Sequence, residues 1–116
     1  MLQLNLLVLK TDRLKALKNQ YEALGLHFEY HQHGKGPFHY SAMINDLVVE
    51  IYPLSSSEAH KFEQMRLGFA VSDLASLIEQ ISTTNWEIIT KPKYTSWGYR
   101  AVVQDIDGRK VELIEK

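Results

Sequence analysis

Several absences narrow what this chain can be. Its 116 residues include no cysteine, which excludes disulfides, thiolate metal ligands and cysteine nucleophiles and suits a reducing cytoplasm. Glycine and proline are scarce, at six and three residues, while 45% of the chain is hydrophobic, so we expect a packed core. No apolar run approaches the roughly 20 residues of a membrane helix, and a net charge of −1 attracts neither nucleic acid nor anionic lipid. These features predict one cytoplasmic domain, 1–116, without membrane or nucleic-acid partners.

What the chain does contain is an internal repeat. Residues 5–30 align with residues 66–91 at a constant offset of 61. With one further residue allowed, the motifs VVEIY and KVELI also align, which places Glu50 over Glu112. An internal duplication dictates the architecture, so it precedes every other prediction about the fold.

Each half shows the same succession of sequence periods. Alternating apolar residues predict a first strand, and a T-D pair (11–12) or an S-D pair (72–73) then offers an oxygen that caps a helix. The dipeptides N-D (45–46) and D-G (107–108) predict tight turns between later strands. Each half therefore predicts the order β-α-β-β-β, an α+β fold of two tandem modules. The expected parts are module one (1–52), a linker (53–64) and module two (65–116).

Each helix must bury its apolar stripe on one face of its own sheet. We expect Leu6 and Val8 beneath the first helix, and Leu67, Phe69 and Val71 beneath the second. Period-two alternation assigns the opposite faces, which would meet across a central cleft enclosed by two curved mixed sheets. The polar and charged residues predicted on these inner faces are Asn5, Glu50, Tyr52, Arg66 and Glu112.

Two stretches of the second half resemble a known superfamily. RLGFAVSDLASLIEQI (66–81) is similar to the opening H-[IV]-x-[LF]-x-V-x-D that precedes a helix, and WGYRAVVQDIDGRKVELIE (97–115) is similar to the close W-G-x-R-x-x-x-x-D-P-D-G-x-x-[IV]-E-L. The second match differs at Ile106, where proline is usual. On these motifs the chain resembles the vicinal oxygen chelate superfamily, which includes glyoxalase I, extradiol dioxygenases, fosfomycin-resistance enzymes and bleomycin-resistance proteins.

The resemblance implies four inward positions for a divalent metal, which fall on Asn5, Glu50, Arg66 and Glu112. Asn5 is a weak neutral ligand, and Arg66 is a permanent cation. A guanidinium about 4 Å from a divalent ion is repelled by roughly 8 kcal/mol at an effective dielectric constant of about 20, and it pairs with carboxylates itself. We therefore predict a degenerate site without metal or other cofactor, in which Arg66 pairs with Glu112 or Glu50. The alternative is Mn, Fe, Ni or Zn held by Glu50 and Glu112.

Histidine density raises the question of a separate metal site. Four of the five histidines lie in HFEYHQHGKGPFHY (27–40), and His31 and His33 form an H-x-H pair. Whether that pair faces the cleft depends on the length of the loop at 34–37. We interpret His31 and His33 as solvent-facing residues near a hairpin tip.

His39 has a different expected position. A two-residue turn at 45–46 places His39 opposite Tyr52 on the inward face, where an imidazole can donate or accept a hydrogen bond. Trp97 lies at the hairpin of the second half, where the mouth of the cleft is expected. Two or three aromatic residues lining one pocket would suit a flat or amphipathic ligand.

These residues leave three functions open. The first is binding of a small organic ligand, in the manner of the drug-sequestering members of the superfamily. An enzyme is the alternative: a metal-dependent lyase, isomerase or dioxygenase using Glu50 and Glu112, with Asn5 or His39 assisting. The third is a protein-interaction module that has lost its chemistry, and a homodimer is compatible with all three. The predicted ligand-binding residues are Asn5, His39, Glu50, Tyr52, Arg66, Trp97 and Glu112.

Overall fold

The computed structural model describes residues 2–54, 62 and 65–116. The chain divides into two compact units, Met1–Glu58 and Ala59–Lys116. From here on, module one and module two mean these two units, in place of the predicted ranges 1–52 and 65–116. The predicted linker, 53–64, lies for the most part outside the described residues, so it stays a prediction, as does the central cleft.

Module one has the predicted β-α-β-β-β order. Its elements are β1 (Leu6–Thr11), α1 (Leu14–Glu22), β2 (Glu29–His31), β3 (His39–Ile44) and β4 (Leu47–Pro53). The four strands form one mixed sheet in the order β1-β4-β3-β2, in which β1 runs parallel to β4 and the other pairs are antiparallel. The parallel pairing of β1 with β4 is possible because α1 carries the chain from β1 at one edge of the sheet to β2 at the opposite edge.

Module two repeats this order and topology. Its elements are β5 (Arg66–Val71), α2 (Leu74–Ile81), β6 (Glu87–Thr95), β7 (Gly98–Gln104) and β8 (Lys110–Glu115). The sheet order is β5-β8-β7-β6, with β5 parallel to β8. The predicted α+β fold of two tandem modules is therefore confirmed.

Both helices are short and bury one face against their own sheet. Leu17 and Tyr21 of α1 are fully buried, and α1 contacts β1 and β4. Leu74 and Ile81 of α2 are fully buried as well. α1 and α2 contain nine and eight residues, and no helix in the described part of the chain is long and apolar enough to cross a bilayer.

The turn between β7 and β8 is held by a buried ion cluster. The Asp105 carboxylate accepts hydrogen bonds from the backbone N–H groups of Asp107 and Arg109 and from Arg109 Nη1, at 2.9–3.0 Å. Arg109 Nη1 also donates to Asp107 Oδ2 at 3.1 Å, and its guanidinium lies 4.2 Å from the Phe62 ring centroid. Arg109 is 1% exposed, so this turn fixes the start of β8, which carries Glu112.

The structural correspondence of the first strands of the two halves differs by one residue from the sequence alignment, which used an offset of 61. Val8 pairs with Glu50 in the same way that Gly68 pairs with Glu112, so the first strands correspond at an offset of 60. Leu6 and Val8 share the face of Glu50, and the expectation that they lie beneath the helix is wrong. The strand begins with four consecutive apolar residues, so alternation could not indicate which pair is buried.

The same shift moves the cap of α1. The N-cap residue is Arg13, not Thr11 or Asp12 as predicted, and among the described residues no side-chain hydrogen bond caps this helix. Thr11 Oγ1 instead accepts the Arg13 backbone N–H at 3.0 Å. In α2 the predicted cap is present, because Asp73 Oδ1 accepts the Ser76 N–H at 3.1 Å.

Candidate functional site

A pocket of 740 Å³ opens on the sheet of module two. This volume lies within the range of about 300–1,000 Å³ typical of small-molecule sites. Strands β5, β7 and β8 form its floor, and the turn between β6 and β7 forms one side. The lining residues are Arg66, Leu67, Gly68, Phe69, Ala70, Trp97, Arg100, Glu112 and Ile114.

Glu112 is the centre of an ion cluster in this pocket. Arg66 Nη1 donates to Glu112 Oε2 at 3.2 Å, so the predicted Arg66–Glu112 pair is present. Arg100 Nη2 donates to the other oxygen, Glu112 Oε1. Two guanidinium groups thus surround one carboxylate, and the cluster carries a net charge of one positive unit. The side chains of Arg66 and Arg100 are 52% and 21% exposed.

Arg100 was not among the site residues predicted from the sequence. It lies opposite Ile114 in the β7–β8 pairing, two residues along from Glu112 on the same face. The signal was present, because Arg100 is the arginine of the W-G-x-R motif. The expected inner faces were drawn only from the first and last strands of each half, so residues of β7 were not considered.

The rest of the pocket is apolar and open. Trp97 is 77% exposed, and its turn is held by Thr95 Oγ1, which accepts the Trp97 N–H at 3.1 Å and donates to Gly98 O at 2.9 Å. Gly68 leaves the floor clear, because among the described residues a Cβ there would meet only the Glu112 carbonyl oxygen, at 4.0 Å. Trp86, by contrast, is buried and outside the lining of this pocket.

In module one, His39 and Tyr52 lie together as predicted. Their rings stack at 4.1 Å between centroids with 8° between planes. The two-residue turn that sets this register is present, with Asn45 at a φ of 52° and Ser41 paired with Glu50. His39 is fully buried, and its Nε2 lies 3.3 Å from Glu50 Oε2.

The other two histidines of the region lie beside His39. His31 pairs with His39 between β2 and β3, and the two rings are 6.0 Å apart. His33 is exposed, as predicted, but its ring is only 4.9 Å from that of His39. One potential ligand atom from each of His33, His39 and Glu50 lies within 4.8 Å of the others. Glu50 with His39 assisting was part of the metal-dependent alternative predicted from the sequence, whereas His33 was interpreted as a solvent-facing residue and was not expected in this group.

Arg66 and Glu112, two of the four metal positions implied by the resemblance, do not fit a cation. Arg66 carries a positive charge, and both oxygens of Glu112 are bonded to guanidinium groups. Leu6 and not Asn5 corresponds to Arg66 at the offset of 60, and leucine offers no ligand atom. Asn5 precedes β1, and its carbonyl oxygen accepts the Val48 N–H at 3.0 Å. Its role in ligand binding stays a prediction.

Comparison with known families agrees with these motifs and this topology. The family model of the Glyoxalase/Bleomycin resistance protein/Dioxygenase superfamily matches residues 3–113. Among curated proteins, none gives a significant match to the sequence.

Solved structures of similar fold include both a binding protein and enzymes. TnmS3, an antibiotic binding protein from Streptomyces sp. CB03234, is 18% identical with a TM-score of 0.79, over 99% of this chain and 96% of that one. A glyoxalase-related enzyme from Fulvimarina pelagi is 17% identical with a TM-score of 0.81, over 100% and 89%. A glyoxalase/bleomycin resistance protein/dioxygenase family enzyme from Burkholderia phytofirmans PsJN is 16% identical with a TM-score of 0.74, over 98% of both chains. At these identities the likeness concerns the fold.

Proposed function

Because the chain belongs to the Glyoxalase/Bleomycin resistance protein/Dioxygenase superfamily, we propose that its module-two pocket binds a small organic anion, without a metal at Glu112. The observation that carries this proposal is the ion cluster of Arg66, Arg100 and Glu112 on the floor of the pocket. Two cations share one anion there, so the pocket attracts a second negative group. A carboxylate or phenolate is the simplest ligand group of that kind.

The guanidinium groups supply the directional contacts. Each carries five N–H donors in a planar fork, and the Glu112 carboxylate accepts from both groups. The remaining donors can bind a ligand carboxylate in the two-point geometry that arginine favours. Glu112 then acts as a positioning residue that holds the two guanidinium groups together at the floor.

The apolar lining sets the shape of the ligand. Trp97 and Ile114 border the pocket, and an aromatic ligand would stack on or pack against them. Phe69 lies one residue from Gly68 and pairs with the buried Leu113, so its side chain lies on the opposite face, beneath the helix as predicted. TnmS3, which has the same fold, is described as an antibiotic binding protein, and this supports a binding role for a member of this fold. A cytoplasmic location and a homodimer stay predictions from the sequence.

A metal-dependent lyase, isomerase or dioxygenase is the second candidate. It is favoured by the two neighbours that are described as enzymes. In the form predicted from the sequence it uses Glu50 and Glu112 as metal ligands. Glu112 would have to release both Arg66 and Arg100 before it could bind a cation, and this requirement places the enzyme second.

The binding proposal is tested by calorimetric titration with benzoate and 1-naphthoate, each compared with its neutral amide. We expect the carboxylates to bind and the amides to bind at least tenfold more weakly. Arg66→Gln should weaken carboxylate binding by roughly tenfold or more, because a hydrogen bond to a charged group is worth about 1.5–3 kcal/mol. Arg13→Gln is the matched control, since the Arg13 side chain is 55% exposed and lies in module one.

A steric variant tests the same pocket without altering its charge. Gly68→Val would project a branched side chain from the floor, where in the described part of the chain the Glu112 carbonyl oxygen is the one atom within 4.0 Å of an added Cβ. We expect this variant to fold, because valine favours strands. We expect it to lose carboxylate binding, because the added side chain fills the floor of the pocket. Failure of both carboxylates to bind the wild type would overturn the proposal. So would carboxylate binding to Arg66→Gln and Gly68→Val that is as tight as binding to the wild type.

A further inference from the structure

We propose that His33, His39 and Glu50 bind a divalent first-row transition metal in module one. The site shares Glu50 with the positions implied by the superfamily resemblance but takes its other ligands from β3 and the loop before it. It goes beyond the anion pocket of module two and departs from the sequence prediction of a protein without metal.

The separation of the ligand atoms fits a small cation. His39 Nε2 and Glu50 Oε2 are 3.3 Å apart, and two ligands at about 2.1 Å from a tetrahedral ion lie about 3.4 Å from each other. The farthest ligand atoms of the three residues are within 4.8 Å. His33 has to move inward by a small rotation, which its exposed position permits.

The tautomer of His39 directs a lone pair at the site. His39 Nδ1 lies 3.3 Å from the Pro37 carbonyl oxygen, and a carbonyl oxygen can only accept, so Nδ1 carries the hydrogen. In this tautomer of the neutral ring, the lone pair of Nε2 faces Glu50. Histidine ligands of metals are commonly oriented in this way, by a hydrogen bond from the other ring nitrogen to a carbonyl group.

His39 Nε2 is a buried polar atom with a need for a partner. Within the described ranges it makes no hydrogen bond. The Glu50 Oε2 atom at 3.3 Å does not satisfy it, because an unprotonated nitrogen and a carboxylate oxygen both only accept. Burying such an atom unsatisfied is costly. A cation between the nitrogen and the carboxylate oxygen would satisfy both groups at once.

The surrounding residues hold the ligands in place. Tyr52 stacks on His39 and fixes the plane of its ring. The His33 carbonyl oxygen accepts the Gly36 N–H at 3.0 Å, and Gln32 Nε2 donates to the Gly36 carbonyl oxygen at 3.0 Å. The loop that carries His33 is therefore a hydrogen-bonded turn that keeps this histidine beside β3.

The ligand set selects the class of metal. Two imidazole nitrogens and one carboxylate oxygen suit zinc, iron, cobalt or nickel, whereas magnesium and calcium prefer oxygen ligands alone. Three protein ligands leave at least one coordination position of the metal for water or for an external small molecule. Zinc and cobalt are the appropriate probes, because zinc favours this geometry and cobalt(II) reports it through visible absorption.

The test is titration of the full-length protein with Zn²⁺ by calorimetry and with Co²⁺ by visible spectroscopy. We expect one zinc ion per chain and a cobalt spectrum of four- or five-coordinate type. His33→Gln and Glu50→Gln should each lower zinc affinity by at least tenfold and change the cobalt spectrum. His27→Gln is the matched control, because His27 is an exposed histidine of the same module, and it should leave both signals unchanged.

Two further variants make the outcome decisive. His39→Gln replaces a fully buried residue, so circular dichroism must show that it folds before its loss of zinc is counted in support. Glu112→Gln should retain zinc binding, because this residue belongs to module two. Absence of stoichiometric zinc in the wild type, unchanged affinity in His33→Gln, or loss of zinc in Glu112→Gln would overturn the proposal.

Discussion

At the scale of single residues, the most tightly held charge of the described chain is that of Arg109. It is 1% exposed and is matched by Asp105 and Asp107, whose side chains are 0% and 3% exposed. Removing one partner of a buried ion pair leaves an uncompensated charge, which costs more than the pair itself contributes. The D-x-D-G-R turn is therefore a structural element that maintains β8 and, through it, the position of Glu112.

We predict that Asp105→Ala lowers the free energy of unfolding by about 3–5 kcal/mol. Asp107→Ala should have the smaller effect, because Asp105 accepts three hydrogen bonds of the turn and would still hold Arg109. Urea denaturation measures both values. Asp12→Ala serves as the control, since its side chain is 60% exposed, and an effect of Asp12→Ala equal to that of Asp105→Ala would contradict this account.

Residue types allowed part of the site to be predicted. The sequence predicted that Arg66 pairs with Glu112 or Glu50, because strand alternation and the superfamily resemblance place this cation among inward-facing carboxylates, and the structure has the pair with Glu112. His39 beside Tyr52 followed from a turn that fixes strand register. Arg100 was not predicted, although it belongs to a motif that the sequence displays, because the inner face of the second half was assigned only from its first and last strands. His33 was not predicted, because its position depends on a loop length that the sequence did not determine.

At the scale of elements, the two helices differ at their starts. Asp73 caps α2 through its carboxylate, whereas Arg13 holds the same position in α1 and makes no side-chain cap. The first turn of an α-helix has N–H groups without helical partners, and a polar side chain at the N-cap accepts from one of them. The helices should therefore respond oppositely to substitution at the cap.

We predict that Arg13→Ser raises the free energy of unfolding by about 1 kcal/mol, and that Asp73→Ala lowers it by about the same amount. The exposed contact of Arg13 with Asp12, at 3.8 Å, adds little because surface ion pairs are weak. Chemical denaturation of the two variants and the wild type checks both changes. A stability loss in Arg13→Ser would show that the Arg13 side chain itself supports the helix.

Element order was predictable, while strand register was predictable only where a turn or a charge fixed it. The hairpin at Asn45 set the β3–β4 pairing, because its two-residue turn allows one register. The face of β1 was assigned wrongly, because a run of leucine and valine shows no alternation and the cap motif at 11–12 suggested an offset that is one residue too large. A helix capped by arginine gives no sequence signal of its start.

At the scale of the whole molecule, the two modules have the same topology and different chemistry. The matching glutamates, Glu50 and Glu112, have unlike partners: an imidazole in module one and two guanidinium groups in module two. One environment suits a cation and the other an anion. The internal repeat allowed the topology to be predicted from the sequence. The different partners of Glu50 and Glu112 could not be predicted from the topology.

Amide hydrogen exchange of the full-length protein should separate the two sites. We predict that Zn²⁺ slows exchange in β3 and β4, and that 1-naphthoate slows exchange in β5 and β8, because bound ligands suppress local opening of the strands that hold them. Mass spectrometry of peptic fragments resolves these strands. Zinc protection confined to module two, or naphthoate protection confined to module one, would contradict the assignment of the sites.

The contrast between Trp86, at 4% exposure, and Trp97, at 77%, gives the protein an optical signal of its own. A water-soluble quencher such as acrylamide collides readily with the indole of Trp97, whereas that of Trp86 is shielded by its surroundings. The natural emission of the chain therefore contains a protected part and an accessible part. Since the accessible indole borders the pocket, occupancy can be followed in unlabelled protein.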